Sequence, residues 1–219
     1  YSDVYDMMDL TEQLFKDIAS AIGKNKYNFS DSEIDLTKNF SRISMFELLE
    51  QACEEDVSCM STLDLYKLGK LKNLDVKKSM NYGQLLDCIF SELVEKNLIQ
   101  PTFVTDYPKE VSPLAKVKRD GSSLLVERFE LFIGGMEFAN SFSELNDPIE
   151  QRIRLERQSK LKDLGDDEAQ VIDESFLEAM EIGMPPTGGV GIGVDRLVML
   201  FTEQNSIKDV ILFPALRNQ

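Results

Sequence analysis

Four glycines and one arginine near the carboxyl end form the pattern most suggestive of ligand chemistry. Gly188, Gly189, Gly191 and Gly193 precede Arg196. Alternating glycines have strand spacing and leave one face almost without side chains, which suits close approach by a ligand. The segment lacks the Gly-Lys-Ser/Thr ending of a phosphate loop and the G-x-G-x-x-G of a dinucleotide fingerprint. We interpret it as a nucleotide-handling strand followed by a helix; a glycine-rich strand merely packed under a helix is the alternative.

Two glutamates flank the Gly-Gly pair at 134–135, which is typical of a two-residue β-hairpin turn. Such a turn places Phe132 opposite Glu137 and Glu130 opposite Ala139. The two carboxylates then lie on one face as diagonal neighbours, roughly 7 Å apart at the backbone. They repel each other unless a cation lies between them, so the pair suits a hard divalent ion. The alternative is that both face solvent.

Asn140, Phe142 and Glu144 alternate along the second strand of this hairpin and are expected to share a face. An acid beside an apolar wall suits a ligand with a cationic side chain. Strict alternation, however, puts Glu137 on the opposite face from Asn140. Both can serve one pocket only if the strand is irregular, so we predict a bulge or strong twist near residues 138–140.

The elements around these residues predict an α+β fold, with a mostly antiparallel sheet flanked by helices. An amphipathic helix is expected at 3–22 and an extended segment at 27–36. The apolar stripe of that helix is Met7, Leu10, Leu14, Ile18 and Ile22. Further helices are predicted at 43–52, 61–68, 82–97, 147–165 and 168–182, and strands at 102–105, 124–133 and 136–142. Residues 38–99 are interpreted as a helical insertion that separates 1–37 from 100–219.

Composition narrows the class of protein. The net charge of −15 opposes stand-alone binding of a nucleic-acid backbone, and the local groups of basic residues are interpreted as solvated helix faces. No apolar run has the length of a membrane span, and the first residues do not resemble a signal peptide. Three cysteines without C-x-x-C spacing argue against a disulfide scaffold or zinc ribbon. A cytoplasmic protein is expected.

Four ordered stretches resemble the class II aminoacyl-tRNA synthetases, and within them the lysyl-tRNA synthetases. Residues 185–217, PPTGGVGIGVDRLVMLFTEQNSIKDVILFPALR, are similar to motif 3 of that class. The other stretches are PTF at 101–103 with EVSPLA at 110–115, RFELFIGGMEFANSFSELNDP at 128–148, and GDDEA at 165–169. The resemblance implies the C-terminal part of the catalytic domain, with the class II fold incomplete.

The resemblance also implies roles for the residues above. Glu130 and Glu137 match the carboxylates that hold Mg²⁺ against ATP. Arg196 matches the catalytic motif 3 arginine, which packs on the adenine and reaches the triphosphate, and Gly193 belongs to the same ATP site.

Amino-acid recognition falls on the neighbouring positions. Glu144 matches the residue that meets the lysine ε-ammonium, Phe142 the wall of its aliphatic stem, and Asn140 a polar contact. Gly191 completes the lysine site. The implied reaction forms lysyl-adenylate from L-lysine and ATP and passes the lysyl group to tRNA(Lys). It needs no protein base, because the attacking carboxylate is already ionised.

Motif 1, motif 2 and an anticodon-binding barrel are expected upstream of Tyr1 in this family, and a homodimer is expected for the whole enzyme. The chain alone is therefore expected to be inactive. A ligase that attaches lysine-like groups to a protein remains an alternative, as does a non-catalytic binding module that kept the fold. Aspartyl and asparaginyl enzymes share motif 3, but an acid at Glu144 fits a cationic substrate better.

Overall fold

The computed structural model describes residues 1–122, 124–163 and 170–213. Seven α-helices lie within this part of the chain: α1 (Val4–Ile22), α2 (Met45–Cys53), α3 (Thr62–Leu71), α4 (Tyr82–Leu93), α5 (Pro148–Asp163), α6 (Glu174–Gly183) and α7 (Val194–Thr202). The strands are β1 (Lys26–Phe29), β2 (Ser32–Asp35), β3 (Ser41–Ser44), β4 (Thr102–Thr105), β5 (Arg128–Ile133), β6 (Met136–Ser143) and β7 (Gly188–Ile192). Short 3₁₀ turns occur at Glu95–Asn97, Lys109–Val111 and Ile207–Asp209.

A five-stranded sheet in the order β3-β4-β5-β6-β7 carries the site. Only the β3–β4 pair is parallel, so the mostly antiparallel α+β prediction is confirmed. Helices α2, α3 and α4 pack on one face through a core that includes Val104 and Phe132. Helix α1, the β1–β2 hairpin and α7 cover the other face, over Phe103, Phe129 and Phe138.

Helix α1 confirms the predicted helix but not its predicted buried face. Asp3 caps its first turn, and Gly23 ends it in the left-handed conformation. The buried positions are Val4, Met8, Thr11, Phe15 and Ala19. Leu10 is 54% exposed and Ile22 53% exposed, although both belong to the predicted stripe. Both sets of residues have helical spacing, and periodicity alone does not say which apolar face meets the sheet.

Region 38–99 contains the three predicted helices, but it begins with a strand of the main sheet. Ser41–Ser44 forms β3 and pairs with β4, so the helix expected from Ile43 starts two residues later at Met45. The core that these helices form also includes sheet residues. The division into 1–37 with 100–219 and an insertion at 38–99 stays a prediction.

Other boundaries differ from expectation in ways that local chemistry explains. The segment 27–36 is a hairpin of two strands, turned by Ser30 and Asp31 with positive φ. Helix α6 starts at Glu174 rather than near residue 168, because the Asp173 side chain caps it by accepting from the amide of Phe176. Across the described residues, no helix has both the length and the apolar character needed to cross a bilayer.

Candidate active site

The β5–β6 hairpin turns at Gly134 and Gly135, both with positive φ, as the Gly-Gly signal predicts. Phe132 lies opposite Glu137, which confirms the predicted register next to the turn. Beyond that pair the register shifts, and Glu130 lies opposite Asn140 rather than Ala139. The prediction for Glu130 was therefore wrong by one residue.

The shift is the predicted irregularity near residues 138–140. Leu131 pairs with Ala139 and Phe132 with Glu137, which leaves Phe138 as the extra residue of a β-bulge. Phe138 is buried against α1. Glu137 and Asn140 are both half-buried. In a regular strand, the side chains of Glu137 and Asn140 would point to opposite faces of the sheet. The bulge adds one residue between them, so both can point to the same face.

Glu130 lies in a network of donors. Its Oε2 accepts from the Tyr107 hydroxyl at 2.8 Å, and its Oε1 accepts from Arg128 at 2.5 Å and from Asn140 Nδ2 at 3.2 Å. Burial, and then Glu130, raise the pKa of Tyr107 well above its usual value, so the phenol stays protonated and donates. The network links a proposed metal ligand, Glu130, to a proposed lysine contact, Asn140.

Arg128 organises this network, and sequence reasoning missed both it and Tyr107. Its guanidinium lies 4.6 Å from the centroid of the Tyr107 ring and donates to the Val111 carbonyl at 2.9 Å and to Ser112 Oγ at 2.8 Å. Arg128 Nε also donates to Asn140 Oδ1 at 3.3 Å. Its position two residues before Glu130 was a signal for a shared face, because strand side chains alternate.

Arg196, in the first turn of α7, contacts Glu137 on strand β6. Arg196 donates to the backbone carbonyl of Glu137, and the two charged groups lie 3.8 Å apart. Burial raises the pKa of Glu137, the nearby Glu130 raises it further, and Arg196 acts in the opposite direction. Glu137 thus interacts both with Glu130 and with Arg196. The three charged groups predicted to converge are brought together in one cleft.

The glycine strand β7 pairs with β6 so that its bare positions border this cleft. Gly191 lies opposite Asn140, and Gly189 lies opposite Phe142. A β-carbon at Gly191 would have one neighbour within 4 Å, the carbonyl oxygen of Asn140 at 3.8 Å, so the space above it is open. Gly193 is the N-cap of α7, and its nearest side chain is Arg196. The strand leaves room for a ligand on the side of Asn140 and Phe142.

Glu144 follows the end of β6 and lies over Gly189. A β-carbon at Gly189 would be 2.2 Å from Glu144 Oε1. The Glu144 carboxylate can therefore occupy its observed position only because residue 189 is glycine. Glu144 is half-buried, and burial alone raises its pKa. Within the described part of the chain, no hydrogen-bond or ion-pair partner is seen for its carboxylate. A half-buried acid without a cation is suited to a cationic ligand.

The donor set fits a magnesium ion only together with a phosphorylated ligand. Among the described residues, no group of three or more acidic, cysteine or histidine side chains could hold a metal ion. Mg²⁺ commonly takes one or two protein carboxylates and completes its shell with substrate phosphates and water. Burial and then the charge of Glu130 raise the pKa of Glu137, while Arg196 and Arg128 lower it, so the two carboxylates are close enough for one cation to interact with both. The pair therefore fits this kind of site.

Two predicted features lie outside the described residues. These are the GDDEA stretch at 165–169, which includes the expected helix end at Gly165, and residues 214–217 at the end of the motif 3 resemblance.

Comparison with known proteins gives one consistent family. The chain matches the profile of tRNA synthetases class II (D, K and N) over residues 1–217. It is 49% identical over 219 residues to a lysine–tRNA ligase of Thermoanaerobacter sp. (strain X514), covering 99% of this chain and 44% of that protein. A lysine–tRNA ligase of Prochlorococcus marinus (strain MIT 9215) is 50% identical, with 99% and 43% covered. One from Staphylococcus epidermidis is 45% identical, with 100% and 44% covered. The chain thus spans less than half the length of these curated relatives.

Proposed function

Because the chain belongs to the class II tRNA synthetases of the D, K and N group, we propose that the protein activates L-lysine with ATP and transfers it to tRNA(Lys). The observation that carries this proposal is the half-buried carboxylate of Glu144, which has no partner among the described residues and lies beside a cleft with two more acids and an arginine. The names of the similar proteins support the same substrate.

Lysine recognition follows from the charge and shape of one end of the cleft. Glu144 would pair with the ε-ammonium, and a charge-assisted contact in a half-buried place is stronger than one in water. Phe142, on β6 two residues before Glu144, would cover the aliphatic stem. Asn140 would offer its amide to the amino-acid end; Arg128 and Glu130 already fix the amide's orientation. Gly191, opposite Asn140, leaves the open space that the ligand needs.

ATP binding is proposed for the other end. Arg196 would lie on the adenine and reach the phosphates, since a guanidinium is planar, permanently charged and a bidentate donor. Gly193 would keep the approach free of side chains. Glu130 and Glu137 would hold Mg²⁺, which neutralises phosphate charge when bound.

The proposed chemistry is two displacements. A lysine carboxylate oxygen forms a bond to the α-phosphorus, the bond to the β-phosphate oxygen breaks, and pyrophosphate leaves. A hydroxyl of the terminal adenosine of tRNA then attacks the carbonyl carbon, and AMP leaves. The protein's part in the first step is orientation and charge stabilisation. We extend the proposal to a homodimer in the cytoplasm on the family resemblance alone.

Lysine-dependent ATP–pyrophosphate exchange tests this function in the longest natural form of the protein. We expect exchange with L-lysine but not with L-aspartate or L-asparagine, and charging of tRNA(Lys) with labelled lysine. Replacement R196A should lower exchange by about 100-fold or more, the effect of removing one charged group that stabilises a transition state. Exchange with aspartate in place of lysine would refute the proposed substrate, and exchange without tRNA charging would refute the proposed acceptor.

A further inference from the structure

One arginine of the candidate active site contacts the proposed metal end and the proposed lysine end at the same time. Arg128 Nη2 donates to Glu130 Oε1 at 2.5 Å, and Arg128 Nε donates to Asn140 Oδ1 at 3.3 Å. Asn140 Nδ2 in turn donates to the same Glu130 oxygen at 3.2 Å. The three side chains therefore form a closed ring of hydrogen bonds, in which each member is held by the other two.

Arg128 is anchored from outside this ring. Its Nη1 donates to the Val111 carbonyl at 2.9 Å and to Ser112 Oγ at 2.8 Å, and its guanidinium lies over the Tyr107 ring. Nη1 thus makes two bonds and Nε and Nη2 one each, so four of the five N–H groups of Arg128 have an acceptor in the protein. Its side chain is 15% exposed, against 43% for Arg196. The guanidinium is therefore oriented by the protein, and it acts on a ligand through the residues that it holds.

The ring allows only one orientation of the Asn140 amide. A guanidinium only donates and an ionised carboxylate only accepts, so the amide oxygen must face Arg128 and the amide nitrogen must face Glu130. Without Arg128, the amide oxygen would lose its donor, and the amide would be free to turn over. Lysine, which this amide is proposed to contact, would then meet a mixture of two orientations.

Glu130 connects this amide to the other end of the cleft. Its Oε1 accepts both bonds of the ring, whereas its Oε2 accepts from the Tyr107 hydroxyl. A cation held by Glu130 would draw negative charge away from the carboxylate and weaken its bond to Asn140 Nδ2. That N–H group would then be freer to donate to lysine. Binding of Mg·ATP is therefore expected to strengthen the binding of lysine.

We propose that Arg128 is a positioning residue that couples lysine binding to the binding of Mg·ATP, because it holds Glu130 and Asn140 in one ring. The inference rests on the proposed function and adds to it a dependence between the two substrates. Coupling between two sites is reciprocal, so lysine must tighten nucleotide binding by the same factor as the nucleotide tightens lysine binding. We expect a factor of about fivefold or more, from the lower end of the range for coupled sites.

Titration calorimetry of the longest natural form of the protein tests the coupling. Lysine is titrated with and without Mg²⁺ and α,β-methylene ATP, whose bridging carbon prevents the loss of pyrophosphate. R128K keeps a positive charge beside Glu130 but has one nitrogen in place of three, so it cannot also hold Asn140 in the ring. R152K is the matched control, because Arg152 makes a two-bond contact with Glu174 at the surface of α5.

In R128K we expect each ligand alone to bind within about threefold of wild type, while the coupling factor falls to about one. R152K should keep the wild-type factor. S112A removes one anchor of Arg128 and retains its charge, so it should lower the factor by about twofold or more. It provides the test if the melting temperature shows that R128K does not fold.

The outcomes separate the coupling from the proposed function. Absence of lysine binding to wild type would refute the function itself. Binding of both ligands to wild type with a factor of one would overturn the coupling alone. So would an unchanged factor in R128K, or in S112A if R128K does not fold, or an equal loss in R152K. Failure of folded R128K to bind lysine without nucleotide would also overturn it, because Arg128 would then be a direct contact.

Discussion

Glu144 has a charge in a half-buried position and, within the described chain, no cation to balance it. Burial raises its pKa, so the free protein favours the protonated form at a higher pH than an exposed glutamate would. The proposed contact with the lysine ammonium needs the ionised form. Affinity for lysine should therefore decline as the pH falls through this raised pKa, and binding of the ammonium should draw the pKa down again.

The affinity for lysine should depend on pH. Lysine should bind progressively more weakly as the pH is lowered, starting above the usual range for glutamate. In E144Q the affinity should be about 10- to 100-fold lower and nearly independent of acid pH, because the charged partner is gone. Titration calorimetry over a pH series measures both. ATP affinity serves as the control and should be retained. Wild-type lysine affinity in E144Q would contradict this role.

Single residues also show how far sequence reasoning extends. Hairpin spacing predicted that Glu130 and Glu137 lie close together, with an error of one residue for Glu130, and the family resemblance added Arg196 to them. Arg128 could have been found from its position two residues before Glu130, but Tyr107 could not, because the loop that contains it has no periodic pattern and its contact with Glu130 spans 23 residues. Long-range contacts of irregular segments depend on the assembled fold.

Within strand β7, the neighbouring glycines Gly188 and Gly189 are required for different steric reasons. Gly189 makes room for a side chain of the site, since its β-carbon would meet Glu144 Oε1 at 2.2 Å. Gly188 makes room for the fold, since its β-carbon would meet the backbone oxygen of Asp3 at 2.8 Å. A carboxylate can turn away, whereas the backbone at the start of α1 must shift as a unit.

This difference predicts opposite effects for G189A and G188A. G189A should raise the KM for lysine severalfold and leave the melting temperature almost unchanged. G188A should lower stability by about 1–3 kcal/mol, the usual cost of overpacking. Thermal unfolding and lysine-dependent exchange separate the two. A destabilised G189A with normal lysine kinetics would contradict the assignment of Gly189.

Elements also mark where prediction from sequence was incomplete. The two-residue turn and the bulge of β6 could be predicted. The bulge was predicted because, in a regular strand, Glu137 and Asn140 would point to opposite faces and could not share a pocket. The buried face of α1 was mispredicted, because Leu10 and Leu14 form a helical stripe as regular as Val4, Met8 and Phe15. Strand β3 was missed, since four residues next to a helix carry too little pattern to distinguish.

In the whole molecule, the five-stranded sheet brings together residues of strands β5 and β6 and of helix α7, which follows β7. The β5–β6 hairpin supplies the carboxylates, and the β7–α7 connection supplies the arginine, so the cleft depends on the β6–β7 register. That register sets Gly191 beside Asn140 and allows Arg196 to contact the Glu137 carbonyl. We propose that these charges serve a single bound ATP with its magnesium ion.

The affinity for ATP with and without Mg²⁺, compared between wild type and the double variant E130Q/E137Q, tests this claim most directly. In wild type, Mg²⁺ should tighten ATP binding by about tenfold or more, the scale of one charge-assisted contact. In E130Q/E137Q that gain should disappear while binding without the ion stays as it was or improves. An undiminished effect of Mg²⁺ in the double variant would contradict the account.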